Sequence, residues 1–453
     1  MIHAYALNGY HIVLDVCSGS IHVVDEQLMA LIRLMENGDA EGAVAAMLGR
    51  YPQLSEGEIR EAIGEIEQLR AAGKLYSGEE QAQKAASHVK DAGVVKALCL
   101  HVAHTCNLNC EYCFASQGKY HGERALMSFE VGKAALDFLA ANSGTRRNLE
   151  VDFFGGEPLM NWGVVKELVE YARSIEGALG KHYRFTLTTN GVLLDDEVTE
   201  FANREMHNVV LSLDGRKEVH DRLRKTISGG GSYDVIVPKF RRFLEKRGER
   251  GYYMRGTFTR HNKDFMQDIE HMLGLGFTQL SMEPVVCAPD DPSALGADDL
   301  PVLFEQYERL AQRMIERERE GRPFTFYHYM LDLEHGPCLH KRVTGCGAGT
   351  EYMAVTPWGD LYPCHQFVGD EAYKLGDLWG GVTNEALRAR FAKVNLFSRE
   401  ACKACWARFY CSGGCAANAY HASGAIDGVY EYGCELFKKR IECAIMLAVA
   451  RRG

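Results

Sequence analysis

Short runs rich in β-branched and aromatic residues open the chain: IHAYAL, HIVLDV and SIHVVD, broken by Asn8-Gly9 and Ser18-Gly19. Such runs with turn dipeptides between them predict a small antiparallel sheet. Apolar residues then recur at helical spacing over 26–36, 39–50 and 55–72. The third stretch starts at Ser55 with Glu58 three residues on, the pattern of a capping box, and stops near Gly73, a suitable C-cap. The polar segment SGEEQAQKAASHVKDAG has no regular apolar spacing and reads as an exposed linker. From 96 to 320, strand patterns (KALCLHV, LEVDFF, RFTLTT, NVVLSLD, YMRGTFT, TQLSMEPV) alternate with helical ones such as 128–141, 163–177, 233–246 and 264–274. That alternation predicts parallel βαβ units, and six of them make an open, partial (β/α)6 barrel whose site lies at the C-terminal strand ends. Beyond 330, glycine and cysteine become dense, strands are short, and a final helix is expected near Glu435. This is the pattern of a small domain held by metal rather than by a large core. The expected division is therefore 1–78, a linker at 79–95, a barrel over 96–325 and a cysteine-rich domain over 326–453.

Composition changes this picture little. With 46% hydrophobic and 25% charged residues in 453, the chain has ample material for a core and none of the bias of disorder. A net charge of -10 speaks against nucleic acid or an anionic membrane as partner. No apolar run approaches the roughly 20 residues of a membrane helix. No basic segment precedes an apolar stretch at the N-terminus, so a cytoplasmic location is expected. The 15 cysteines change the picture more. Their number is odd and no export signal is visible, so metal ligands or catalytic thiols are expected rather than disulfides.

CNLNCEYCF follows the first barrel strand, with three residues between Cys106 and Cys110 and two between Cys110 and Cys113. Three thiolates on one loop can hold one corner of a cubane cluster and leave one iron without a protein ligand. That iron can chelate the amino and carboxylate groups of a small molecule. A structural zinc site needs four ligands, usually as paired C-x-x-C units, and fits this loop poorly. Further motifs each follow a strand: Gly155-Gly156-Glu157-Pro158, Thr189-Asn190-Gly191, Ser212 with Asp214, and Arg224 in HDRLR. Singly, each could be a turn; in this order, after successive strands, chance is a poor explanation.

At these residues the chain resembles the radical S-adenosylmethionine (SAM) superfamily, whose CxxxCxxC signature has an aromatic before the last cysteine, here Tyr112. The resemblance implies that Gly155, Gly156, Glu157 and Pro158 bind the SAM amino group. It implies that Thr189, Asn190, Ser212 and Asp214 line its ribose and methionine, and that Arg224 holds its carboxylate. Toward the C-terminus, Cys402, Cys405, Cys411 and Cys415 run with gaps of two, five and three residues, after Cys346 and Cys364 and before Cys434. This is similar to the SPASM domain of peptide-modifying relatives. The similarity implies one auxiliary cluster on Cys346, Cys364 and Cys415 and a second on Cys402, Cys405, Cys411 and Cys434. Zinc is the rival for the Cys402/Cys405 pair. With the core cluster this makes three 4Fe–4S clusters. Cys17, Cys99, Cys287 and Cys443 carry no such spacing and read as ordinary buried thiols.

The N-terminal module resembles the winged-helix recognition element that holds a precursor's leader peptide as an added strand; the alternative is a structural cap. The whole chain looks like the maturases of SCIFF peptides, closest in IVLDVCSGSIHVVDE and TGCGAGTEYMAVTPWGDLYPCHQFVGD. These enzymes install thioether bonds in a cysteine-rich precursor. The resemblance implies that the reduced core cluster cleaves SAM to a deoxyadenosyl radical, which takes a hydrogen from an acceptor residue. A substrate cysteine thiolate then attacks, and the auxiliary clusters accept the surplus electron. A flavodoxin or ferredoxin is the expected electron donor. Side-chain oxidation of the sulfatase-maturing kind and a non-catalytic metal-bound peptide scaffold are the alternatives. Cys338, after Gly336-Pro337, lies near the place of a fourth ligand to the first auxiliary cluster but at a different spacing. The open form, with an iron free for the substrate thiolate, is the expectation.

Overall fold

A computed structural model describes residues 1–80, 94–288, 290–331, 333 and 339–452. Most of the expected linker (79–95) and Cys338 with Gly336-Pro337 lie outside the described residues.

The chain begins with β1 (Ile2–Leu7), β2 (Tyr10–Asp15) and β3 (Ile21–Val24), an antiparallel sheet in sequence order. Asn8 and Gly9 take left-handed backbone (φ 48 and 84), which lets a two-residue turn match the twist of the flanking strands. Three helices follow, α1 (Glu26–Leu34), α2 (Ala40–Arg50) and α3 (Glu56–Ala71). Asp25, Asp39 and Ser55 cap them, and Ser55 and Glu58 exchange both bonds of a capping box. Alternate residues of β2 face two cores. Val13 packs with Met29, Leu31, Met47, Ile59 and Ile63, whereas Ile12 and Leu14 join the main core of the molecule.

That main core is built on an eleven-stranded sheet. Its parallel strands are β4 (Ala97–Ala103), β6 (Asn148–Gly155), β7 (His182–Thr189), β8 (Met206–Ser212), β10 (Tyr252–Phe258), β11 (Gln279–Pro284) and β12 (Thr325–Phe326), neighbours in that order. β6 and β7 alternate strictly between fully buried residues, covered by helices, and half-buried ones on the inner face. A closed barrel would fill its interior with side chains. Here the inner faces of β6 and β7 keep partial exposure, while β4 is buried throughout.

The cysteine-rich region continues this sheet. β13 (Tyr352–Val355) pairs parallel with β4, and β14 (Asp360–Tyr362), β15 (Gly376–Asp377) and β16 (Gly381–Val382) extend it antiparallel. Met353, Leu361, Phe367 and Leu436 belong to the same core as the barrel residues, so packing as well as any metal holds this part. The last helix, Glu431–Ala450, lies against helix Leu300–Arg319, with Lys439 paired to Glu308 at 2.9 Å. Among the described residues no helix is long and apolar enough to cross a membrane.

Candidate active site

All the motif loops leave the C-terminal edge of the parallel strands, because β4, β6, β7 and β8 run the same way and end at Ala103, Gly155, Thr189 and Ser212. The loop after β4 forms a short strand, β5 (Leu108–Cys110), paired antiparallel with β9 (Arg224–Thr226). This register sets Cys110 opposite Arg224. The Tyr120 hydroxyl donates to the Gly155 carbonyl at 3.0 Å and ties the same loop to β6.

Gly155 and Gly156 are demanded by chain packing. A Cβ on Gly155 would stand 2.4 Å from the Ala103 carbonyl oxygen, and one on Gly156 would stand 2.2 Å from that of Thr105. Gly155 also has φ +123, which side chains rarely adopt. The two glycines let the end of β6 press against the segment that leads into Cys106.

The charged motif residues hold one another. Glu157 is buried and accepts from Thr189 Oγ1 (2.7 Å), Asn190 N (2.8 Å) and Leu159 N (3.0 Å). Burial raises its carboxyl to about 7, against the pull of those three bonds. Asn190 Nδ2 donates to Asn107 Oδ1 at 2.8 Å and lies 3.7 Å from Cys106 Sγ. Asp214 is fully buried and accepts from Tyr112 OH (2.8 Å), Arg224 Nε (2.9 Å) and Thr257 N (2.9 Å). The Arg224 guanidinium also lies over the Tyr112 ring, 5.5 Å from its centre. The resemblance implies that Glu157, Asp214 and Arg224 serve the cofactor. In the structure their charged atoms first serve the frame, because charges taken out of water need partners. Backbone at Gly155-Gly156 and half-buried Ser212 border the space between the loops, and Pro158 starts a short 3-10 turn after β6.

The candidate cysteines fall into three groups. Cys106, Cys110 and Cys113 lie within electrostatic reach of one another. Burial raises the Cys106 thiol to about 12 and Cys110 to about 11, the latter opposed by the Arg224 charge. Cys364 senses Cys415 and Cys346, and burial is what raises its thiol most. Cys411 senses Cys434, Cys402 and Cys405, with its thiol raised to about 12 by burial. Buried thiols with raised pKa are poor nucleophiles alone and become thiolates when a metal displaces their protons. Among the described residues, no three Cys, His, Asp or Glu side chains close around a single metal ion. Cys99 and Cys443 are buried in the main core, and Cys17 and Cys287 are half-buried.

Several residues near these groups carry no motif. His101 Nδ1 and His104 Nε2 are 3.1 Å apart in the interior, with the Tyr120 ring 4.5 and 4.8 Å from theirs. Burial lowers both imidazoles, His104 to about 4, so the pair is neutral. His365, beside Cys364, meets Phe114, beside Cys113, at 5.5 Å between rings, so the segments that carry the first two cysteine groups touch. On the paired strands β10 and β11, Arg255 and Glu283 stand 3.0 Å apart, with His328 3.6 Å from the same carboxylate. Only the inward register of the strand ends could have drawn attention to them. A cavity of ≈ 910 Å³ lined by Arg184, Asn203, His207 and Arg250 opens at the other, N-terminal ends of β7, β8 and β10, away from every cysteine group.

Comparison with known proteins agrees with this geometry. Residues 100–273 match the radical SAM superfamily. An uncharacterised protein of Methanocaldococcus jannaschii is 30% identical over 316 residues, 69% of this chain and 96% of that one. A serine-type anaerobic sulfatase-maturating enzyme of Bacteroides thetaiotaomicron is 26% identical, covering 78% of this chain and 90% of the relative. The crystal structure of Streptococcus suis SuiB bound to the precursor peptide SuiA superposes with TM-score 0.54 at 16% identity, over 94% of this chain and 97% of SuiB. With a radical SAM match running from β4 to the helix before β11, and the motif loops gathered at one sheet edge, the chain belongs to the radical SAM superfamily.

Proposed function

We propose that the chain is a maturase that forms thioether crosslinks in a cysteine-rich, ribosomally made precursor peptide. The observation that supports the proposal is the gathering of ten cysteines in three separate groups, with Phe114 beside Cys113 in ring contact with His365 beside Cys364. In this reading Cys106, Cys110 and Cys113 hold the SAM-binding cluster. Cys346, Cys364 and Cys415 hold the first auxiliary cluster, with Cys338 not a ligand, and Cys402, Cys405, Cys411 and Cys434 hold the second. The bound cluster with SAM supplies a deoxyadenosyl radical and an outlet for electrons. The chain's own residues supply position. Backbone at Gly155-Gly156, with Thr189, Asn190, Ser212 and Arg224, borders the SAM site. Tyr112 and Asp214 hold Arg224 and the Cys110 strand in place, and Glu157 locks the end of β6 to that of β7.

Residues 1–78 are the leader-binding module. β1 faces the last helix, where Tyr5 OH donates to the Glu442 carbonyl at 2.9 Å, so the edge left for an added strand is β3, whose Val23 is 54% exposed. A flavodoxin or ferredoxin supplies electrons. SuiB, whose fold this chain shares over nearly its whole length, has been crystallised with its precursor peptide.

The test is anaerobic reconstitution followed by incubation with SAM, dithionite and a precursor. About twelve irons per chain are expected, with deoxyadenosine formed and one substrate thiol lost to alkylation for each ring. A value near four irons with zinc present sinks the cluster assignment. The second reading is side-chain oxidation, favoured by the sulfatase-maturating relative. It predicts an oxidised peptide with no crosslink and with the thiols outside the oxidised residue still free to alkylate.

A further inference from the structure

The interval between Cys405 and Cys411 carries no ligand, yet it makes the seat of the N-terminal module. Trp406 stacks on His3 with ring centres 3.7 Å apart and planes 2° from parallel. Phe409 packs with Val16, Cys17, Val343 and Leu396 in a small core of its own. Arg408 is 2% exposed, and its guanidinium reaches Cys17 Sγ at 3.3 Å, Glu79 Oε1 at 2.5 Å and the Lys403 carbonyl. A charge buried so deeply needs all its partners, and two of these belong to the N-terminal segment. Further contacts come from the helix that carries Cys434, where His3 Nε2 lies 3.0 Å from Glu442 Oε1 and Tyr5 OH donates to the Glu442 carbonyl, and from the main core, which Tyr5, Leu7, Ile12 and Leu14 join.

The segment 400–411 cannot hold this shape by helix propensity. Its two helices, Glu400–Lys403 and Arg408–Cys411, are four residues each, far below the length at which a helix is stable alone. Cys402, Cys405 and Cys411 stand at the two ends of this segment, within electrostatic reach of Cys434. The contacts of Trp406, Phe409, Arg408 and Glu442 with the N-terminal segment therefore lie on the elements that carry those four cysteines.

We infer that metal ligation at Cys402, Cys405, Cys411 and Cys434 acts as the keystone that seats the N-terminal module on the barrel, with Trp406 and Arg408 as positioning residues. The cluster at these cysteines is then required for recognition of the precursor. This rests on the reading of the four cysteines as ligands, and the measurements separate the two. Amide hydrogen exchange in the reconstituted full chain reports on β1, with β6–β8 as an internal control. Cys402→Ser with Cys405→Ser should lose about four irons and speed exchange in β1 by tenfold or more, with β6–β8 unmoved. Arg408→Met should keep the iron and still speed exchange in β1. Iron lost with β1 unchanged, or β1 unchanged in Arg408→Met, overturns the inference and leaves the ligand assignment standing. Unchanged iron in the double variant overturns both.

Discussion

Asp214 and Glu157 show how a motif carboxylate earns its place by what it holds. Asp214 is fully buried beside the Arg224 guanidinium, and removing one member of a buried pair leaves a charge without a partner. Asp214→Ala should destabilise the chain by about 3 kcal/mol, read as a lower denaturant midpoint in the reconstituted protein; a shift below about 1 kcal/mol would mean that water replaces the carboxylate. Glu157 gives a pH signature. Its folded pKa of about 7 lies above the unfolded value of about 4.3. The folded state thus binds the proton more tightly, so this contribution is fully present below the unfolded pKa. It is lost as pH rises through about 7. Glu157→Gln should flatten the decline in stability across that window, measured by denaturant titration at a series of pH values. An unchanged slope would assign the decline to other groups. Neither partner network was legible in the chain, because Thr257 and Arg224 meet Asp214 only once β8 pairs with β10 and β9 with β5.

At the scale of elements, the crossing of the β4 and β6 ends is the tightest feature of the site. Gly156→Ala would drive a methyl into the Thr105 carbonyl and push the Cys106 segment away. The variant should lose the iron of the core group, about four per chain, and with it deoxyadenosine formation, while the auxiliary iron stays. Replacing Cys106, Cys110 and Cys113 with Ala should have the same outcome by removing the ligands, so retention of the auxiliary signal in electron paramagnetic resonance checks both. The elements themselves were largely legible. The six strand patterns and the capping box at Ser55 are where the periodicity put them, because alternation and caps are local properties. The last helix starts at Glu431 rather than near Glu435, and Tyr432 in the extra turn packs against the main core. β13 beside β4 was not legible, because a four-residue strand does not say which neighbour it will find.

At the scale of the molecule, the N-terminal module is joined to the rest on two sides. Tyr5, Leu7, Ile12 and Leu14 lie in the main core, so deleting residues 1–78 would strip apolar cover from the barrel as well as remove the β3 edge. A substitution at that edge is the cleaner probe. Val23→Lys places a charge beside the free strand, which discourages strand addition, and should weaken precursor binding by tenfold or more in fluorescence anisotropy with the iron content unchanged. Unaltered affinity would favour a structural cap over a leader-binding module.

The sequence by itself determined what short-range forces decide: strand and helix periods, caps, the Asn8-Gly9 turn, and the spacing of Cys106, Cys110 and Cys113 on one loop. Those signals need only neighbouring residues and so survive without a fold. Only the tertiary structure decided which distant groups meet. It turned Phe114 toward His365, surrounded the carboxylate of Asp214 with Tyr112, Arg224 and Thr257, and seated His3 on Trp406. The physical reason is the same in each case. Burial and electrostatic pairing act through space, and the partners become neighbours only when the parallel sheet curves and β13 extends it past β4.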